Sequence, residues 1–338
     1  MELNNLLLVF IIFNSLIIFF FEKINFLKIN IDQPDGKRKL HKKPIPLAGG
    51  LIIYSNIVIY FLLVIFEKKL LIDEIIFKTY VNIIVFFITT TIVFILGFFD
   101  DRYNISAARK FLILTIILIA ALVLDKSINI KVINFSFIDR KYNLSEYSVL
   151  FTCFCFLVFL NAFNMFDGIN LQSGSYSIII FLSLLIFYSE SFFFKVMLIS
   201  IICYTFLNLQ NKIFLGDSGT LITSFVIGYI FISLYNLEII MFADEIVLYM
   251  LLPGIDLIRL FFKRLFLKKN PLSPDRFHIH HLLLMKFSIK KTLIILCFLV
   301  LLPIILNYFE FNRLFIIVFF VLIYVFLLKV LKINTHIT

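Results

Sequence analysis

The sequence predicts an all-α integral membrane protein: one polytopic domain over residues 1–338, about eleven transmembrane helices, N-terminus outside and C-terminus cytoplasmic. Three observations carry that expectation. The 338 residues are 62% hydrophobic and 15% charged, with a mean hydropathy of +1.06, whereas soluble domains run near 45–50% apolar and about 25% charged. The apolar residues come in runs that match the roughly 20 residues a membrane helix needs. The charged residues segregate to alternate ends of those runs.

Taken in order, the runs place spans near 3–21, 47–66, 80–99, 107–124, 147–165, 173–188, 191–209, 219–235, 245–262, 291–307 and 312–330. The first run has no basic region before it and no small-residue cleavage site after it, so it reads as an uncleaved span. Loops after spans 1, 3, 5, 7 and 9, with the C-terminal tail, carry about 21 Lys and Arg against about 8 on the other side, which makes the first set cytoplasmic. A net charge of +10 in so apolar a chain points to anionic lipid headgroups, not nucleic acid. Cys153, Cys155, Cys203 and Cys297 lie in apolar stretches without a CxxC pair, and read as packing residues.

The acids provide a second signal. Eight of the nine Glu fall on the outer loops, while Asp32, Asp35, Asp100, Asp101, Asp167, Asp217, Asp256 and Asp275 fall on the inner side. Nothing in the positive-inside rule forces this, because that rule ignores acids. Short carboxylates serve helix capping and metal ligation alike.

Five segments on the inner side carry candidate chemistry. Asp100-Asp101 closes an apolar span, and adjacent anions need a cation or a proton, or else a solvated helix end with Arg102 as partner. Asn161, Asn164 and Asp167 share a helix face by i,i+3 spacing, either as an interhelical clasp or as the lining of a polar cleft. Gly216-Asp217-Ser218-Gly219 opens a helix, where small residues let backbone N–H groups approach phosphate while Asp217 reaches a metal; the competing reading is an N-cap. Three of five histidines crowd into Arg276-Phe277-His278-Ile279-His280-His281, downstream of Lys263, Arg264, Lys268 and Lys269. Zinc would suit the histidines, but phosphate suits the whole set better. The basic run Lys37 to Lys43 precedes Gly49-Gly50, as a phosphate site or a lipid-surface anchor.

In this order the segments resemble the polyprenyl-phosphate N-acetylhexosamine-1-phosphate transferases, the WecA/MraY superfamily. The resemblance rests on Asp32-x-Pro34, Arg38-Lys39-x-His41, Pro44-Ile45-Pro46-x-x-Gly49-Gly50, Asp100-Asp101, Asn161-x-x-Asn164-x-x-Asp167-Gly168, Phe214-x-Gly216-Asp217-Ser218-Gly219 and Pro274-Asp275-Arg276-x-His278-Ile279-His280-His281. His-Ile-His-His after Pro-Asp-Arg resembles the WecA branch more than the branch that acts on muramoyl-pentapeptide. The resemblance implies transfer of N-acetylhexosamine 1-phosphate from a UDP-sugar, foremost UDP-GlcNAc, to undecaprenyl phosphate at the bacterial inner membrane. It implies Mg²⁺, with Mn²⁺ as substitute, held by Asp217. Asp100, Asp101 and Asp167 would be catalytic, with Asp100 or Asp101 orienting or deprotonating the lipid phosphate. Arg38, His41, Asn161, Asn164, Asn170, Arg264, His278, His280 and His281 would bind substrate. Membrane lipids and a second copy of the chain complete the expected partners. Asn104 and Asn170 stand where many relatives carry Asp. A transporter or scaffold is the rival from another class, but a transporter should show internal repeats, which are not seen here.

Overall fold

A computed structural model describes residues 3–34, 43–66, 75–270 and 277–333. Each expected apolar run forms a helix: α1 (Leu3–Phe20), α2 (Gly49–Phe66), α3 (Tyr80–Tyr103), α4 (Ala107–Leu124), α5 (Ser148–Phe166), α6 (Gln172–Phe187), α7 (Phe192–Leu209), α8 (Gly216–Asn236), α9 (Ala243–Phe266), α11 (Ile289–Tyr308) and α12 (Arg313–Ile333). Among the described residues, nine helices are long and apolar enough to cross a membrane. The other two differ for physical reasons: α6 has 16 residues, and α9 carries Asp244, Glu245, Asp256, Arg259, Lys263 and Arg264.

Three features were not foreseen. A short helix, α10 (Ile279–Leu284), forms on the histidine segment. Strands β1 (Ile31–Asp32) and β2 (Ile45–Pro46) pair antiparallel, and β3 (Val132–Phe135) and β4 (Ile138–Asn143) form a hairpin between α4 and α5. These runs are too short or too polar to register as membrane elements.

Helix α8 is the hub. Its apolar window is wholly buried, and it packs against α2, α3 and α5. Small residues permit the close approach: a Cβ on Gly97 of α3 would overlap the Ser218 backbone of α8. In lipid, where apolar burial gives helices little reason to associate, such packing and interhelical hydrogen bonds hold the bundle together. Asn14 of α1 and Asn56 of α2 exchange side-chain hydrogen bonds at 2.7 and 3.1 Å. At the α3 N-terminus, Asp125 accepts from Asn82 and from the Tyr229 hydroxyl. The four cysteines are all unpaired.

Candidate active site

The site forms where the C-terminus of α3 meets the N-terminus of α8. Helix α3 runs past the predicted end of its span, so Asp100 and Asp101 lie in its last turn rather than beyond it. Gly216, at φ +75°, makes the left-handed turn into α8 beneath the Asp101 carboxylate. Asp101 Oδ1 accepts the Asp217 N–H at 2.6 Å; Oδ2 accepts the Ser218 N–H at 3.1 Å and its hydroxyl at 2.7 Å. A carboxylate from one helix thus caps another, satisfying donors that a helix start leaves open and complementing its dipole. Asp101 fixes the first turn of α8, and so the position of Asp217.

Asp100 has a different task. Its Oδ1 accepts the Ile105 N–H at 2.7 Å, while its other oxygen pairs with the ammonium of Lys110 on α4. Lys110 also reaches Asp217 Oδ1 at 3.2 Å, bridging two helix termini. Asn164 of α5 donates to the same Asp217 oxygen and to Thr220 Oγ1 at 2.8 Å. Asp217 Oδ2 has no protein partner among the described residues, and the side chain is 32% exposed.

Asp167 stands at the α5 C-cap and accepts from the Ser173 hydroxyl. Burial, with the charge of Asp217 adding to it against the Ser173 bond, pushes its carboxyl up to about 6. Asn161 does not reach this group: its amide donates to Leu157 O of its own helix at 2.7 Å. Asn170 donates to Asn211 Oδ1 at 2.6 Å, an amide pair that a carboxylate at 170 would alter. Asn104, at φ +51°, ends α3 in the left-handed region, which Asn tolerates better than most side chains.

The histidines are organised by Asp256, which sequence reasoning left out of the site. From α9, Asp256 Oδ2 accepts His278 Nδ1 at 2.7 Å, and Oδ1 accepts the Ile279 N–H at 3.2 Å, Arg259 Nη2 at 2.7 Å and the Tyr324 hydroxyl. One carboxylate therefore holds the start of α10 and the orientation of His278. His280 is 1% exposed, between Gln172 and Gly168. Gln172 Nε2 donates to its Nδ1 at 3.4 Å, and its Nε2 lies against the Gly168 backbone so tightly that a Cβ there would overlap the ring. Thus His280 couples α10 to the turn that carries Asp167. His281 lies beside it, ring centroids 4.3 Å apart, and Arg264 is buried in the last turn of α9.

Burial, then the neighbouring His281 and His278, hold His280 down at about 3, against about 6.5 unfolded. A depressed value means the unfolded chain takes up the proton first, so stability present above about pH 6.5 is lost as pH falls towards 3. Lowering pH from 7 to 5 is expected to cost roughly 2 kcal/mol through this group. Thermal unfolding in detergent should show that slope in the wild type and a flatter one in His280→Gln; equal slopes would refute the assignment.

The structure thus brings Asp100, Asp101, Asn164 and Asp217 together where α3, α4, α5 and α8 meet, with Asp167 close enough to feel the charge of Asp217, and sets His280 against Gly168 with His278 and His281 beside it. Arg38 and His41 lie outside the described residues. Gly49-Gly50, the first two residues of α2, dock on the segment leading into α8: Gly49 N and Gly50 N donate to Phe214 O and Leu215 O at 3.0 and 3.1 Å. Sequence spacing does not single out Lys110, which sits beside Arg109 at the start of α4, because a basic pair at the end of an apolar span is ordinary for a membrane helix.

The donor set is compatible in charge with a divalent cation. Four carboxylates against one ammonium carry a formal charge of −3, and among the described residues no three His, Cys, Asp or Glu are grouped so as to hold a metal by themselves. Zinc prefers such a closed set. Magnesium is usually held by one or two carboxylates together with waters and substrate phosphates, which Asp217 Oδ2 could supply.

Comparison with known proteins finds similar sequences over most of the chain. Residues 83–235 match the family model of glycosyl transferase family 4, an interval that holds Asp100, Asp101, Lys110, Asn164, Asp167 and Asp217. The chain is 26% identical over 286 residues to the undecaprenyl-phosphate alpha-N-acetylglucosaminyl 1-phosphate transferase of Escherichia coli K12, covering 81% of this chain and 74% of that protein. It is 29% identical over 271 residues to the protein of that name from Thermotoga maritima, covering 79% and 77%. The Yersinia pestis protein is 25% identical over 289 residues, covering 82% and 76%.

Proposed function

We propose that this chain, whose residues 83–235 match the model of glycosyl transferase family 4, transfers N-acetylglucosamine 1-phosphate from UDP-GlcNAc to undecaprenyl phosphate and releases UMP. A lipid phosphate oxygen attacks the β-phosphorus, a new P–O bond forms, and the P–O bond to UMP breaks, leaving a lipid-linked pyrophosphate sugar. The observation that carries the reading is the Asp100–Lys110–Asp217 bridge, which sets an ammonium beside a partly exposed carboxylate where the ends of α3, α4 and α8 meet.

We assign the cation to Mg²⁺ held by Asp217, with Mn²⁺ as substitute; bound there, it would neutralise the pyrophosphate and the leaving UMP. Lys110 meets the lipid phosphate as it approaches from the bilayer. A phosphate monoester has its second pKa near 6, so at neutral pH the attacking oxygen is mostly ionised and needs placement more than a base. Asp101 is therefore a positioning residue, its oxygens already committed to the start of α8. Asp100 holds Lys110, and Asp167 with Asn164 shapes the nucleotide side. His278 and His281, with Arg264, face the sugar and phosphates, while His280 and Asp256 hold that segment in place. The site opens to the cytoplasm, where UDP-sugars are made; this puts the C-terminus inside and the N-terminus outside, in accord with the Lys and Arg count.

Membranes containing the protein should release UMP from UDP-GlcNAc only with both undecaprenyl phosphate and Mg²⁺ present. A panel of UDP-sugars that yields no UMP would overturn the reading.

A further inference from the structure

The opposite end of the bundle holds a cavity that transfer does not use. Asp217 and Asn236 mark the two ends of α8, 19 residues apart, or roughly 28 Å at the helical rise. At the Asn236 end a cavity of about 330 Å³ opens between α8, the segment after α4 and the β3–β4 hairpin. Its lining includes Lys78, Lys126, Lys131 and Lys141 against one acid, Glu238. None of the four lysines makes an ion pair among the described residues. Convergent like charges repel unless an anion lies between them, and this is the end of the bundle on which basic residues are otherwise few.

The walls are braced. Tyr235 Oη donates to Val132 O at 3.0 Å and accepts the Asn134 N–H at 2.8 Å. Asn236 Nδ2 donates to Ser127 O at 2.7 Å and to Asn129 O at 3.2 Å. Helix, loop and hairpin are thus joined by bonds that do not involve the lysines, which leaves the ammonium groups available to a ligand.

Location decides the ligand's source. Lys78 stands two residues before Tyr80 and Lys126 two after Leu124, helix ends whose apolar side chains are exposed, Leu124 at 67%. Met241, exposed on the rim, extends that apolar border. The volume lies at the lower end of the range for small-ligand pockets, about 300–1,000 Å³, and exceeds what a bare phosphate fills. Lysines at the headgroup level of a bilayer attract anionic lipids.

We propose that this cavity binds the phosphate headgroup of an anionic phospholipid, with the acyl chains leaving along the exposed ends of α3 and α4. The assignment does not depend on the transferase reading. The test uses the full chain in detergent, with phosphatidylglycerol offered against phosphatidylcholine and bound lipid counted by native mass spectrometry. The variant Lys78→Gln/Lys126→Gln/Lys131→Gln/Lys141→Gln is compared with a control of equal charge loss at the other end, Lys23→Gln/Lys290→Gln/Lys291→Gln/Lys329→Gln. Wild type and control should retain phosphatidylglycerol selectively, and the cavity variant should lose it at least tenfold. If the cavity variant unfolds early, the single variants Lys126→Gln and Lys131→Gln should each show a partial loss at wild-type melting temperature. Equal retention by cavity variant and control would overturn the proposal. So would displacement of the lipid by equimolar sn-glycerol 3-phosphate, which would make the ligand a soluble phosphate.

Discussion

Asp217→Asn is expected to lower UMP release by on the order of 10³-fold or more, comparable to or beyond the loss of a transition-state electrostatic donor. The substitution is nearly isosteric, and the oxygen that accepts from Asn164 and Lys110 has a counterpart in the amide. The clamp that fixes α8 uses the Asp217 backbone N–H, which the change leaves intact. Insertion and thermal stability should therefore stay close to wild type while turnover collapses. What is lost is the negative charge at Oδ2, the atom assigned to the cation. A second readout separates that role from simple polarity: without substrate, Mg²⁺ should raise the unfolding temperature of the wild type, because a ligand that binds only the folded state stabilises it. It should raise that of Asp217→Asn much less. Wild-type turnover in the variant, or an unchanged response to Mg²⁺, would remove Asp217 from the cation site.

Much of this site is legible from local sequence, and what is not depends on contacts between distant segments. Hydropathy periods place the helices because a bilayer imposes one length on them. Gly216-Asp217-Ser218-Gly219 announces a helix start because Gly and short polar residues have local reasons to be there. The division of labour between Asp100 and Asp101 is not local. Adjacent carboxylates look equivalent on paper, yet a helix sends neighbouring side chains about 100° apart, so one meets α8 and the other meets α4. Asp256 is hidden for a similar reason: its partners His278 and Tyr324 lie 22 and 68 residues away. Asn161 shows another nonlocal limit: i,i+3 spacing sets it one turn before Asn164, yet its amide donates within its own helix while that of Asn164 crosses to Asp217.

Lys110→Met is the second large effect expected. Removing the ammonium leaves Asp100, 4% exposed, facing Asp217 without a counter-charge. Losing one partner of a fully buried ion pair costs about 3–5 kcal/mol, but Asp217 is a third exposed and solvent screens it, so roughly 2 kcal/mol is the expected loss. Turnover should fall further than stability explains, on the order of 10²–10³-fold, if the ammonium also neutralises the lipid phosphate as it attacks. Lys110→Arg distinguishes the two roles. It keeps the charge and should recover most of the unfolding temperature. A rigid guanidinium fork does not reproduce one compact ammonium shared between two helices, so turnover should recover only in part. Added Mg²⁺ should stabilise Lys110→Met more than wild type, since the cation then supplies the counter-charge the lysine no longer does. Full UMP release by Lys110→Met would show that the bridge is structural alone, and would shift the capture of the lipid phosphate to the basic residues elsewhere on the same face.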